Sequence, residues 1–199
     1  MKMKEVQSYL VIALIFVVLI VGFAAVTRAI SGTDIPFAVV ESPSMTPTMP
    51  TGSLIFIQKI SPQDIVAGSK PIGDIIVFDD PEYPTTTVTD YGIFAVYSPT
   101  PWSHRVINET EINGTYYFLT KGDANLFPDE NPNNPGTWVP QSHVIGKIVW
   151  YVPDLGYPFL WIKNPVVIVI ILVILVIIAF VPIGNKKEEK SDKDGNLQK

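Results

Sequence analysis

Ser44 is the residue of this sequence best placed to act as a nucleophile. It lies in ESPSMTPTMP (41–50), directly after the apolar run FAVV, with Pro43, Pro47 and Pro50 around it. Proline fixes its own φ and biases the preceding residue toward extended backbone, so this spacing predicts a stiff, extended strand-to-loop edge. A serine hydroxyl becomes a useful nucleophile when a base takes its proton, and a histidine oriented by a carboxylate can do so. Two histidines are available, His104 in SHRVI and His143 in PQSHVIG. Two aspartates, Asp123 and Asp129, stand close together in KGDANLFPDE. Each residue also has a plainer reading. Serine is common in proline-rich turns, and turn aspartates cap backbone amides. His104 fits a half-buried strand position with Arg105 on the opposite face, and His143 fits an exposed loop. A calcium loop is a weaker reading of the aspartates, because the EF-hand spacing is missing.

Composition narrows the chemistry. The chain has no cysteine, which excludes a disulfide framework, a zinc-thiolate site and a thiol nucleophile. Two histidines do not suit a multi-histidine metal site, so neither a metal nor a cofactor is expected. The formal charge of -5 argues against nucleic acid as a partner.

The candidate residues lie between two apolar blocks. The first, YLVIALIFVVLIVGFAAV (9–26), is uncharged and about 18 residues long, just enough to cross a bilayer core. A cleaved signal peptide has a shorter apolar run, of about 7–15 residues, so an uncleaved anchor is the reading taken. The second, PVVIVIILVILVIIAFVPI (165–183), has no polar face, and Tyr157, Phe159 and Trp161 precede it as an interfacial belt would. Lys2 and Lys4 flank the first block, and Lys186, Lys187, Lys190 and Lys193 follow the second. The positive-inside rule then puts both termini in the cytoplasm, although Arg28 and Lys163 on the other side weaken the contrast. The expected organisation is a cytoplasmic N-terminus (1–8), a transmembrane helix (9–27), an extracytoplasmic catalytic domain (28–162), a second transmembrane helix (163–184) and a charged cytoplasmic tail (185–199). Sequons at Asn108 and Asn113 agree with an extracytoplasmic domain but arise often by chance.

The middle reads as mostly β, a curled or barrel-like sheet. Strands are predicted at 37–41, 53–59, 74–79, 93–97, 103–108, 115–121 and 144–151, with turns between them. Asn113-Gly114 between two such runs is a hairpin signal. No internal repeat is present.

Taken in order, these segments resemble the signal peptidase I family, in its archaeal and endoplasmic-reticulum branch. SPSMTPTM resembles the S-x-S-M-x-P nucleophile box, IGDIIVF (72–78) the G-D-I-V-V-F strand, and SHRVI the H-R-V-I segment. TKGDAN with the following Asp129 resembles the K-G-D-N-N box and its aspartate, and WVPQSHVIGKIVW the closing V-x-G-K segment. The resemblance covers most of 37–150. It implies a signal-peptidase-like curled sheet between two transmembrane helices, with Ser44 as nucleophile, His104 as general base and Asp129 orienting it. Asp123 matches another functional position, and the division of roles between the two aspartates stays open. Ser42 matches an oxyanion donor, beside the Ser44 amide, and Met45 belongs to the same oxyanion and substrate-binding box. The bacterial branch uses lysine where His104 stands. The departures are Ser53 for an aspartate, Ala124 for an asparagine and a longer stretch at 79–101.

By the same resemblance, the substrate is the signal peptide of a preprotein emerging from a translocation channel, cut after small-x-small sites. The bilayer is a partner, and accessory subunits are left open. Two other readings are an inactive membrane-anchored module that binds extended peptides, and a related protease with a narrow set of surface-protein clients.

Overall fold

The computed structural model describes residues 3–80, 86–90, 95–98, 101–162 and 165–180. The chain divides into two compact units, Met1–Leu160 and Trp161–Lys199.

The first unit opens with helix α1 (Met3–Ser31). Within it, the 25 residues Gln7–Ser31 form the one helix, among the described residues, that is long and apolar enough to cross a membrane. At ~1.5 Å per residue it exceeds the ~30 Å hydrocarbon core. Seven strands follow in one sheet: β1 (Phe37–Val39), β2 (Leu54–Gln58), β3 (Ile75–Phe78), β6 (Trp102–Ile112), β7 (Thr115–Lys121), β8 (Val139–Pro140) and β9 (Val144–Val152). Their order is β1-β2-β9-β3-β6-β7-β8, and every neighbouring pair is antiparallel. The separate hairpin β4 (Thr86–Asp90) and β5 (Ala95–Ser98) lies in the long stretch noted at 79–101, the rest of which falls partly outside the described residues.

The sheet curls because register slips interrupt it at Phe56/Ile57, Val77/Phe78 and Val106/Asn108. Such bulges bend a strand and strengthen its twist. The sheet, expected to be mostly β and curled or barrel-like, is therefore present as a curled half-barrel behind an apolar N-terminal helix. Central β3 feeds two cores, as alternation requires of a strand covered on both sides. Val77 joins Val40, Met45, Met49, Ile55, Ile57 and Ile148, whereas Ile76 and Phe78 join Ile65, Val106, Phe118 and Val139. The predicted hairpin forms at Asn113 (φ 52°) and Gly114 (φ 80°), the paired left-handed conformation that a tight two-residue turn demands.

Aromatic rings tie α1 to the sheet edge. Phe23 stacks on Phe37 with ring centroids 6.0 Å apart, and Phe37 in turn meets Phe56 at 5.2 Å and Trp150 at 6.1 Å.

After β9 comes a short helix, α2 (Tyr157–Ile162), and then α3 (Pro165–Phe180). Proline at the first position of α3 is favourable, since an N–H there would lack a partner anyway. The 16 residues of α3 cover part of the second apolar block. The remainder of that block and the charged tail lie outside the described residues.

Candidate active site

The site forms where the turn after β1, strand β6 and the loop after β7 meet. The chain leaving β1 is held by the Val40 N–H on the Ser53 carbonyl at 2.9 Å and by the Gly52 N–H on the Val40 carbonyl at 2.8 Å. It then coils rather than running extended. The Thr46 N–H bonds to the Pro43 carbonyl, and the Met49 N–H to the Met45 carbonyl, both at 2.9 Å. This corrects the expectation of a stiff extended edge. Burying Met45 and Met49 in one core, four residues apart, requires a turn between them. Ser44 is fixed in place by the side chain that follows it. Met45, expected beside Ser44 in the oxyanion and substrate-binding box, is only 1% exposed and packs in the core.

His104, on β6, brings the candidates together. Its Nε2 lies 2.9 Å from Ser44 Oγ, and its Nδ1 lies 2.6 Å from Asp129 Oδ2. An ionised carboxylate only accepts, so Nδ1 carries the hydrogen and Nε2 presents a lone pair to the serine hydroxyl. His104 is buried, and Trp102, two residues earlier on β6, packs edge-on to its ring. Asp129 is held by its own N–H on the Thr120 carbonyl at 2.9 Å and by the Thr120 hydroxyl at 2.7 Å. Ser42 Oγ stands 3.0 Å from Ser44 Oγ, and with the Ser44 hydrogen committed to His104, Ser42 is free to donate. His143 lies elsewhere, and its carbonyl accepts the Asp79 N–H at 3.0 Å.

The structure separates the two aspartates. Asp123 faces Arg105, not His104. Arg105 Nε donates to Oδ1 and Nη2 to Oδ2, each at 2.7 Å, while Nη1 donates to the Gly73 carbonyl. The Thr48 hydroxyl also donates to Asp123. Both side chains are almost fully buried. Burial alone would push the Asp123 carboxyl up. The hydrogen bonds from Arg105 and Thr48, with the Arg105 charge, outweigh it and hold the group below the ordinary carboxylate value. Asp123 thus clamps the loop after β7 to β6 and to the turn that carries Ser44.

Arg105, Thr48, Thr120 and Glu130 were not singled out in the sequence as parts of this arrangement. Arg105 was read only as lying on the face opposite His104; both residues are buried, and a buried guanidinium needs a carboxylate. Gly122 is a further contributor. The Ala124 N–H bonds to the Ser44 carbonyl at 2.8 Å, and a Cβ on Gly122 would come within 2.7 Å of that same oxygen. Gly122→Ala is expected to shift Ser44 off line and lower turnover by about 100-fold, as small misplacements of reacting groups do. Steady-state rates checked against an unchanged melting transition test this.

The family model described as signal peptidase, peptidase S26, matches residues 4–109, more than half of the chain. The chain belongs to the signal peptidase family, peptidase S26. The matched stretch carries Ser44 and His104 and stops before the loop of Asp123 and Asp129. Curated signal peptidase relatives agree. The signal peptidase complex catalytic subunit sec11 of Schizosaccharomyces pombe is 28% identical over 135 residues, 65% of this chain and 68% of that protein. Sec11 of Dictyostelium discoideum is 30% identical over 131 residues, 63% and 60% of the two chains. Human SEC11C is 32% identical over 129 residues, 64% and 57%. The similarity to these signal peptidase subunits thus spans roughly three fifths to two thirds of their length.

Proposed function

We propose that this chain is a membrane-bound serine endopeptidase that removes signal peptides from exported preproteins by acyl transfer. The observation that carries the reading is the continuous line from Ser44 Oγ through His104 to Asp129, with spacings of 2.9 and 2.6 Å. Ser44 attacks the scissile carbonyl as His104 Nε2 takes its proton, and Asp129 stabilises the imidazolium that results. The tetrahedral oxyanion is met by the Ser42 hydroxyl and the Ser44 backbone N–H. His104 then passes its proton to the leaving amine, and water releases the acyl group by the reverse sequence.

The substrate class follows from the family and from the sheet. Among the described residues β1 is an edge strand with β2 as its one sheet neighbour, it leads to Ser44, and its other side could pair with an extended peptide. Small pockets would read alternate side chains, which suits small-x-small sites. The inactive peptide-binding reading is not favoured, because a binding module has no use for a hydrogen-bonded serine, histidine and aspartate. The test is to incubate the purified protein with several unrelated preproteins and map the cuts. Cleavage after small-x-small sites in all of them supports a general signal peptidase. Cleavage of one class alone would favour the narrow-client reading.

The proposed topology places α1 and the second apolar block across the bilayer, both termini in the cytoplasm and the β domain outside. Anchoring enzyme and substrate in one plane raises their effective concentration. Protease added outside intact cells should reach 28–162 and spare the lysine-rich tail. A tail cut from outside would invert this arrangement.

A further inference from the structure

Behind Asp129 lies a second carboxylate that the mechanism above does not use. Thr120, on β7, is 0% exposed, and all three of its polar groups are spent on residues 129 and 130. Its carbonyl accepts the Asp129 N–H, and its own N–H donates to Glu130 Oε2 at 2.8 Å. Its hydroxyl lies 2.7 Å from Asp129 Oδ2 and 3.0 Å from Glu130 Oε1. A hydroxyl has one hydrogen, so it cannot satisfy two carboxylates at once.

We propose that Glu130 is a positioning residue for the Ser44–His104–Asp129 line, acting on Asp129 through the Thr120 hydroxyl. With a proton on Oε1, Glu130 donates to Thr120 Oγ1. Thr120 then gives its hydrogen wholly to Asp129 Oδ2, the same oxygen that faces His104. All the hydrogen bonds then point toward that one oxygen. When Glu130 ionises, its charge competes for the Thr120 hydrogen and adds to the negative potential behind His104.

Both forms are populated near neutrality. Burial pushes the Glu130 carboxyl up to about 7, against the hydrogen bonds from Thr120 and with help from the Asp129 charge. The charged groups around it are Asp129, its neighbour in the chain, and His104 of β6 beyond Asp129. Among the described residues no lysine or arginine is ion-paired to Glu130.

The inference rests on the serine-histidine-aspartate reading, and the experiment separates the two. The full chain, in detergent or lipid, is assayed on a preprotein from pH 5 to 9. Wild-type kcat is expected to fall about 3-fold as pH rises through 7, when ionised Glu130 draws the Thr120 hydrogen away from Asp129, whereas Glu130→Gln, which cannot ionise, keeps its kcat there. Thr120→Val is expected to lower kcat about 10-fold with KM unchanged, as loss of a hydrogen bond to a charged group does, and Thr120→Ser to restore it. A purely structural role would lower activity evenly across the pH range. Should Thr120→Val fail to fold, the comparison of wild type with Glu130→Gln decides the point. A wild-type kcat that does not fall above pH 7, or a fall that persists unchanged in Glu130→Gln, overturns the proposal. Activity surviving in Ser44→Ala would instead overturn the reading beneath it.

Discussion

Ser44→Ala and His104→Ala each lower preprotein processing by ~10⁴-fold or more, and the double variant loses little beyond either single one. The size follows from the geometry. Without Oγ no covalent intermediate can form. Without the imidazole the hydroxyl keeps its proton, and nothing delivers one to the leaving amine. The non-additivity follows too, because the 2.9 Å contact makes the two groups one device. Ser44→Ala should not unfold the protein. Ser44 is half-buried at the rim of the site, and the neighbour that packs in the core is Met45. His104→Ala strands the buried Asp129 and should lower the melting transition as well. The check is the initial rate of cleavage with purified variants at a temperature where melting curves show each one folded. Wild-type-like cleavage by Ser44→Ala would sink the mechanism.

Arg105→Met and Asp123→Asn should do the opposite, damaging stability first and activity as a consequence. Each removes one partner of a buried pair and strands the other. The expected destabilisation is about 3–5 kcal/mol, far more than an exposed ion pair would give. Removing both partners together, as Arg105→Met with Asp123→Leu, should recover part of that loss, since no uncompensated charge is left behind. The pH dependence has a definite sign. The folded-state carboxyl of Asp123 sits below its ordinary value near 3.8. Its contribution is complete above that value and is lost as pH falls through the depressed one. Denaturant titrations at neutral and acid pH would measure both effects. The contrast with Ser44→Ala assigns the aspartates: Asp129 variants should follow the Ser44 pattern, and Asp123 variants the Arg105 pattern.

Much of the sheet could be read in advance. The predicted strand at 115–121 coincides with β7, and those at 53–59, 74–79 and 144–151 fall within a residue of β2, β3 and β9 at each end. Alternation and β-branched content carry that signal because it is local. β8 escaped because Pro140 cannot donate to a ladder and so argues against a strand from sequence alone. The coil at 44–49 escaped because proline content suggested extension, and the burial of Met45 and Met49 in a common core overrode it. The identity of the candidate residues was legible through the order of the motifs. The allocation of the aspartates was not. His104 and Arg105 are consecutive in sequence, yet each takes a different acid from the same loop. Only the path of that loop after β7 decides which acid meets which base, and no property of the individual residues encodes it. Thr120 escaped for a related reason, since a threonine in a strand is ordinary until two carboxylates converge on it.

The stacking of Phe23 on Phe37 has a bearing on where a bond can be cut. α1 ends at Ser31, β1 starts at Phe37, and Ser44 follows within one turn of chain. No slack stalk separates the helix from the sheet edge. With α1 seated in the bilayer as proposed, the serine works at a fixed altitude above the lipid. The helix then serves as a ruler as well as a tether. A scissile bond held too near the membrane, or too far from it, would miss the hydroxyl even with an ideal sequence around it.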